Sequence, residues 1–165
     1  MCESQEFDLM VQREAPQITR LVGRLVAWGP DVEDLVQEVF VRAWKKRAKF
    51  RGESAESTWL HAIAVNVCRN YHRRMNLWQR IFPRVADNGK ACADDDAELV
   101  DLRDHVWAAI AKLRPIDREI VVLRCMEEKT PAEAAAILGQ SVNSVDVRLH
   151  RARQRLKAIL EPKDA

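Results

Sequence analysis

The four cysteines, Cys2, Cys68, Cys92 and Cys125, form no CxxC pair. This speaks against a zinc ribbon or a disulfide framework. Glycine is scarce, at five in 165 residues, and aromatic residues make up only 6% of the chain, while Ala, Leu, Val, Arg and Glu abound. That balance points to helices. No apolar run approaches membrane-spanning length, and the opening "MCESQEFDLM" has neither a basic lead nor an apolar segment behind it. The chain therefore reads as cytoplasmic. His61 and Cys68 lie seven apart, within reach of one helix face, but no Asp, Glu or Asn is placed to complete a catalytic or metal-binding set. No enzyme, cofactor or metal site is expected; the pair reads as a buried thiol and a partly exposed histidine.

What is present is charge, and it is segregated. Hydrophobic residues at 47% and charged residues at 32% place the chain among soluble globular proteins, and the net charge is only +2. Yet Val41 to Gly52 holds no acid while carrying Arg42, Lys45, Lys46, Arg47, Lys49 and Arg51. From Val147 to Leu160 there is again no acid, beside Arg148, Arg151, Arg153, Arg155 and Lys157. Two separated basic patches suggest two contacts with a polyanion. The plainer alternative is two solvated helix faces.

The apolar periodicity predicts an all-α protein of two small helical domains joined by a flexible linker. A first helix is expected near Glu6 to Glu14, then a break at Pro16, then "QITRLVGRLVAW" with Ile18, Leu21, Val22, Leu25 and Val26 at helical spacing. Asp31 is the expected N-cap of "VEDLVQEVFVRAWKKRAKF", and Ser57 or Thr58 the start of "WLHAIAVNVCRNYHRR". Between Arg80 and Glu98 the texture changes, with Pro83, an Asn88-Gly89 turn signal and the consecutive acids Asp94, Asp95 and Asp96. The expected domains are 1–80 and 98–161, with 81–97 as the linker.

In the C-terminal half, Thr130, Pro131 and Glu133 spell a capping box with proline at the first helical position, Gly139 ends that helix, and Ser141 caps the next. A short helix, a Gly-containing turn and an arginine-rich second helix make a helix-turn-helix pattern. At about 100° per residue, Val145, Leu149, Ala152, Leu156 and Leu160 fall on the core face. Asn143, Val147, His150 and Arg151 point away and are the candidates for base edges; Arg148, Arg153 and Arg155 lie on the flanks, where phosphates run. A helical hairpin with a solvated basic face would carry the same pattern. In the N-terminal half, Phe40, Trp44, Phe50, Trp59 and Tyr71 interleave with bases, which suits single-stranded nucleic acid. Phe40 and Trp44 sit in the apolar stripe and are expected to be buried, whereas Phe50, beside Gly52, is expected to be exposed.

Taken together, "DVEDLVQEVFVRAW", "FRGESAESTWLHAIAVN", "LRPIDREIVVLR" and "VRLHRARQRL", in this order, resemble regions 2 and 4 of the extracytoplasmic-function (ECF) sigma factors of bacterial RNA polymerase. The resemblance runs from about residue 5 to 160, and four ordered motifs are far more specific than one. It implies a dissociable promoter-specificity subunit. Asp34, Gln37 and Glu38 would contact core RNA polymerase, at the coiled coil of its beta-prime subunit, while the beta subunit completes the docking partner. Phe50, Gly52, Glu53 and Ser54, with Asn66, Arg69 and Asn70, would hold the melted minus-ten element and a base flipped from it. The alternative for Asn66 is a satisfied buried polar residue between helices. The helix-turn-helix, with Asn143, Val147, Arg148, His150, Arg151, Arg153 and Arg155, would read the minus-thirty-five element. The linker acids would follow a basic path near the RNA exit, and two tethered domains would gain avidity. An anti-sigma factor, in some relatives membrane-anchored, is implied as an inhibitory partner; no small-molecule substrate is.

A competing reading is a dimeric helix-turn-helix regulator that binds duplex DNA without polymerase. The "DLVQEVF" and "FRGES" segments speak against it, since such a regulator has no need of them. One residue departs from the family pattern. Asp146 stands where a base is usual, and either pairs with His150 four residues on or accepts a hydrogen bond from a cytosine amino group, with Val147 on a thymine methyl.

Overall fold

The structure, a computed structural model, describes the backbone of residues 3–81 and 97–161 and the side chains of 5–77 and 104–161. The chain divides into two units, Met1–Ala91 and Cys92–Ala165. Every regular element among the described residues is helical, as the periodicity predicts. The expected linker, with Asp94, Asp95 and Asp96, lies outside the described residues but for its ends, Ile81 and Ala97, which belong to helices.

The first unit is three mutually packed helices: α1 (Glu3–Val26), α2 (Val32–Lys46) and α3 (Glu56–Ile81), with a single 3₁₀ turn at Arg47–Lys49. Contacts from Arg13 to Glu56 and from His72 Nε2 to the Leu25 carbonyl, at 3.0 Å, align α1 and α3 in the same direction. Ile18, Leu21 and Val22 of α1, Val39 of α2, and Leu60 and Val65 of α3 are all fully covered, and the three helices pack on one another. Each such side chain contributes about 1.5–3 kcal/mol through burial. That packing explains why Pro16 does not end a helix as expected. The proline sits on the exposed side of α1, with Met10, Glu14 and Ile18 buried on the other. Its missing hydrogen bond and ring clash, about 3 kcal/mol, are outweighed by one continuous apolar stripe.

Three further expectations are corrected here. Asp31 stands before α2, but its side chain does not cap it; the carboxylate accepts a hydrogen bond from Tyr71 Oη at 2.7 Å instead. Burial, and then that hydrogen bond to a carboxylate, push the Tyr71 phenol up to about 12. His61 is completely buried rather than partly exposed, with Nδ1 2.6 Å from the Ser57 carbonyl one turn back, and Cys68 is buried as expected. The α3 helix starts at Glu56, a residue or two ahead of the expected Ser57 or Thr58.

The second unit holds α4 (Ala97–Ala111), α5 (Pro115–Val121), α6 (Pro131–Leu138) and α7 (Val142–Leu160). The end of α5 widens into a π turn at Val122–Met126, closed by Glu127 N–H to the Val122 carbonyl at 2.9 Å. Arg118 donates to the Ala111 carbonyl at 2.6 Å, and burial lowers its pKa. The capping box forms as the sequence predicts. Glu133 N–H donates to Thr130 Oγ1 at 3.2 Å, and Thr130 N–H to Glu133 Oε2 at 2.8 Å. Gly139 closes α6 at φ 65°, a left-handed conformation that glycine reaches without strain. Ser141 Oγ then accepts from Ser144 N–H at 3.2 Å and starts α7.

Candidate nucleic-acid interface

The short α6, the turn at Gly139 and α7 form a helix-turn-helix, with α4, α5 and α6 all packed on α7. Val145, Leu149 and Ala152 are buried, and Leu156 and Leu160 partly so. The opposite face is open: Asn143, Val147, His150 and Arg151 are all exposed. Arg153 is exposed too, with its guanidinium 3.6 Å from Cys125 Sγ. Arg148, half-exposed, and Arg155, exposed, converge on one nearly buried carboxylate. Arg155 Nη1 lies 2.9 Å from Asp117 Oδ2, and Arg148 Nη1 3.7 Å from Oδ1. The sequence reading missed Asp117, and the signal for it was weak, because a carboxylate in the first turn of a helix is ordinary. Asp146 is exposed, and its expected pairing with His150 does not form; His150 Nε2 lies 3.0 Å from Gln154 Nε2 instead.

In the first unit, the 3₁₀ turn and the loop to α3 shape a cavity of about 420 Å³, lined by Lys49, Phe50, Arg51, Glu53, Ser54 and Trp59. Gly52, at φ 71°, turns the loop where a side chain would be strained. Phe50 is half-buried rather than exposed. Its ring lies against Trp59, with centroids 4.9 Å apart. Phe40 and Trp44 are half-buried rather than buried; Trp44 takes the Phe7 ring edge-on and the Arg47 guanidinium 3.3 Å over its face. A second cavity, about 320 Å³, shares the Phe50 and Trp59 walls.

Of the expected residues, Phe50, Glu53 and Ser54 come together in this cavity, whereas Asn66, Arg69 and Asn70 do not line it. They lie farther along α3. Asn66 and Asn70 follow Trp59 by seven and eleven positions, which places all three on one helix face, with Asn66 about 10 Å beyond the ring. Asn66 is exposed, which disposes of the buried alternative, and Arg69 and Asn70 are half-exposed. Trp59, named among the aromatics that interleave with bases, was not among the expected minus-ten residues, yet it walls the cavity. Its spacing to Asn66 and Asn70 was the available signal.

On α2, Asp34 and Gln37 are exposed and Glu38 half-exposed. Glu38 is already engaged, with Arg42 Nη2 at 2.5 Å and Arg74 Nη2 at 3.8 Å. Val41, 51% exposed, continues the same stripe one turn on. Across the described residues there is no grouping of His, Cys, Asp and Glu that could hold a metal ion, and no helix long and apolar enough to cross a membrane.

Comparison with known proteins defines the class. Sigma-70 region 2 matches residues 10–77, and Sigma-70 region 4 matches residues 103–156. The Escherichia coli ECF RNA polymerase sigma-E factor is 32% identical over 171 residues, covering 97% of this chain and 89% of that protein. The chain belongs to the ECF sigma factor family. It is also 32% identical over 158 residues to the Mycobacterium tuberculosis ECF RNA polymerase sigma factor SigG, where the match covers 78% of this chain but only 42% of that protein. Among solved structures, it is similar to the sigma factor RpoE of Bartonella quintana in complex with the anti-sigma factor NepR. That match has a TM-score of 0.81 and 25% identity, and covers 98% of this chain and 99% of the other. CnrH in complex with the cytosolic domain of CnrY gives 0.73 and 28%, covering 98% and 92%.

Proposed function

We propose that this chain is a promoter-specificity subunit that binds core RNA polymerase, recognises two promoter elements and directs melting and initiation at a specialised set of genes. The observation that carries the reading is the pairing of two different nucleic-acid surfaces on one chain. One is an aromatic-walled, base-lined cavity suited to unpaired bases; the other is a helix-turn-helix suited to duplex. A regulator that only binds duplex DNA has no use for the first.

The roles divide accordingly. Asp34, Gln37 and Glu38 dock on the beta-prime subunit of core, beside beta. Phe50, Gly52, Glu53 and Ser54 receive a flipped base of the minus-ten element, and Asn66, Arg69 and Asn70 track the strand along α3. Asn143, Val147, His150 and Arg151 meet base edges of the minus-thirty-five duplex, with Arg148, Arg153 and Arg155 beside phosphates. Asp146, with no ion pair among the described residues, accepts from a cytosine amino group. Residues 1–80 and 98–161 act as the two binding domains, with 81–97 as their tether. The subunit selects where polymerase starts and performs no chemistry of its own. It works in the cytoplasm, and an anti-sigma factor holds it inactive; the complex of its structural relative RpoE with the anti-sigma factor NepR supports that partner class.

Reconstitution with core polymerase is the test. Co-purification with core and initiation at a selected promoter support the proposal. A chain that ignores core yet binds duplex as a dimer refutes it and leaves the regulator.

A further inference from the structure

We infer that Asp117 is a positioning residue for duplex reading: one nearly buried carboxylate anchors Arg148 and Arg155 and thereby fixes how α7 presents its outer face. The inference rests on the proposed duplex-reading role of α7.

The geometry is specific. The Asp117 side chain is 5% exposed, in the first turn of α5 behind Pro115. Its two oxygens are divided between two arginines, Oδ2 to Arg155 at 2.9 Å and Oδ1 to Arg148 at 3.7 Å. Those arginines are seven positions apart, two turns of α7, about 10 Å along its axis. One carboxylate thus holds the helix at two points and constrains both its rotation and its slide against α5. Each arginine remains partly open to solvent, at 46% exposure for Arg155 and 39% for Arg148. A guanidinium carries five N–H donors in a rigid fork, and Asp117 engages one nitrogen of each, so the others stay available to phosphate oxygens. Rotamer freedom that a surface arginine would lose on binding is instead lost on folding.

A purely stabilising role explains this poorly. Burying a carboxylate is costly, and a buried ion pair gains little over apolar residues of the same volume. Asp117 also neutralises one of its two partners, so it lowers the charge of α7 toward any DNA. A helix that only needed phosphate affinity would be better without it.

The experiment uses the full chain assembled with core polymerase and a duplex library randomised across the upstream promoter element. The enriched duplex and a scrambled duplex of equal length are then compared for affinity across a salt series, with thermal melting as the check on folding. Asp117→Asn keeps the shape and removes the anchor. The ratio of enriched to scrambled affinity is expected to fall on the order of tenfold. Affinity for the scrambled duplex is expected to hold, and the log–log salt slope to steepen by up to about one. Arg155→Gln, at an exposed position, is expected to lower the ratio too, and the double variant no further than Asp117→Asn alone. Proportional loss on both duplexes with an unchanged slope makes Asp117 merely structural and overturns the inference; so does an unchanged ratio in either single variant, or additive losses in the double. Should wild-type holoenzyme enrich no duplex at all, the duplex-reading role itself fails, and the anchor with it.

Discussion

Gly23 near the end of α1 gives a prediction in which two familiar effects oppose each other. Glycine inside a helix is normally a liability, and alanine there is worth about 0.5–1 kcal/mol. Here, however, a Cβ on Gly23 would lie 2.6–2.7 Å from three atoms of the Trp28 ring, which covers the glycine directly. Trp28 cannot back away cheaply. Its N–H donates to the Gly23 carbonyl at 2.8 Å, and both it and Ala27 hold positive φ, 53° and 60°. Trp28 is 41% exposed, so of roughly 200 Å² for a tryptophan about 120 Å² is covered. Uncovering half of that costs about 1.5 kcal/mol at 25 cal/mol per Å², within the usual range for overpacking. The clash wins, and Gly23→Ala should destabilise by about 0.5–1 kcal/mol, lowering the melting temperature by roughly 2–8 °C in a unit of this size. Circular dichroism melting measures it. In a Trp28→Ala background the sign should reverse, because only helix propensity then remains. A Gly23→Ala protein that melts at or above wild type, or one that is destabilised equally in both backgrounds, refutes the reasoning.

Tyr71 is the sole tyrosine, so tyrosinate absorbance reports it directly. With the phenol raised to about 12 from 10.0, the folded state favours the protonated form; its stabilising effect is complete below pH 10 and fades as pH rises from about 10 to about 12. The expected midpoint lies well above 10 and falls partway back in Asp31→Asn; a midpoint near 10 in folded protein contradicts this. Thr130→Ala removes the hydroxyl arm of the capping box and should cost the second unit about 1 kcal/mol in chemical denaturation. Trp59→Ala should weaken capture of the melted strand by roughly 1–3 kcal/mol, seen as slower strand opening with a fluorescent base analogue, while duplex binding by the upstream element persists. Undiminished opening would remove Trp59 from the site.

Local signals in the sequence carried much of the architecture. The capping box at Thr130, the glycine stop at Gly139 and the cap at Ser141 depend on residues within four positions of one another, so they were legible and formed as read. The same holds for the core face of α7 and for the outward Asn143, Val147, His150 and Arg151, because helical period alone sorts them. At Pro16, Asp31 and His61 the local signal was present but tertiary context outweighed it. Pro16 is carried through because the apolar stripe of α1 packs on α2 and α3, Asp31 is drawn off its cap by Tyr71 forty residues away, and His61 is completely buried.

Site residues follow the same division. Which side chains face outward on one helix was decided by the sequence alone, since that is a matter of 3.6-residue spacing. Which side chains meet across helices was decided only by the tertiary structure. Phe50 closes on Trp59 to wall a cavity, Arg74 of α3 approaches Glu38 of α2, and Asp117 reaches across 38 positions to hold Arg155. No spacing along the chain encodes these encounters, because they depend on the distance and angle at which whole helices pack.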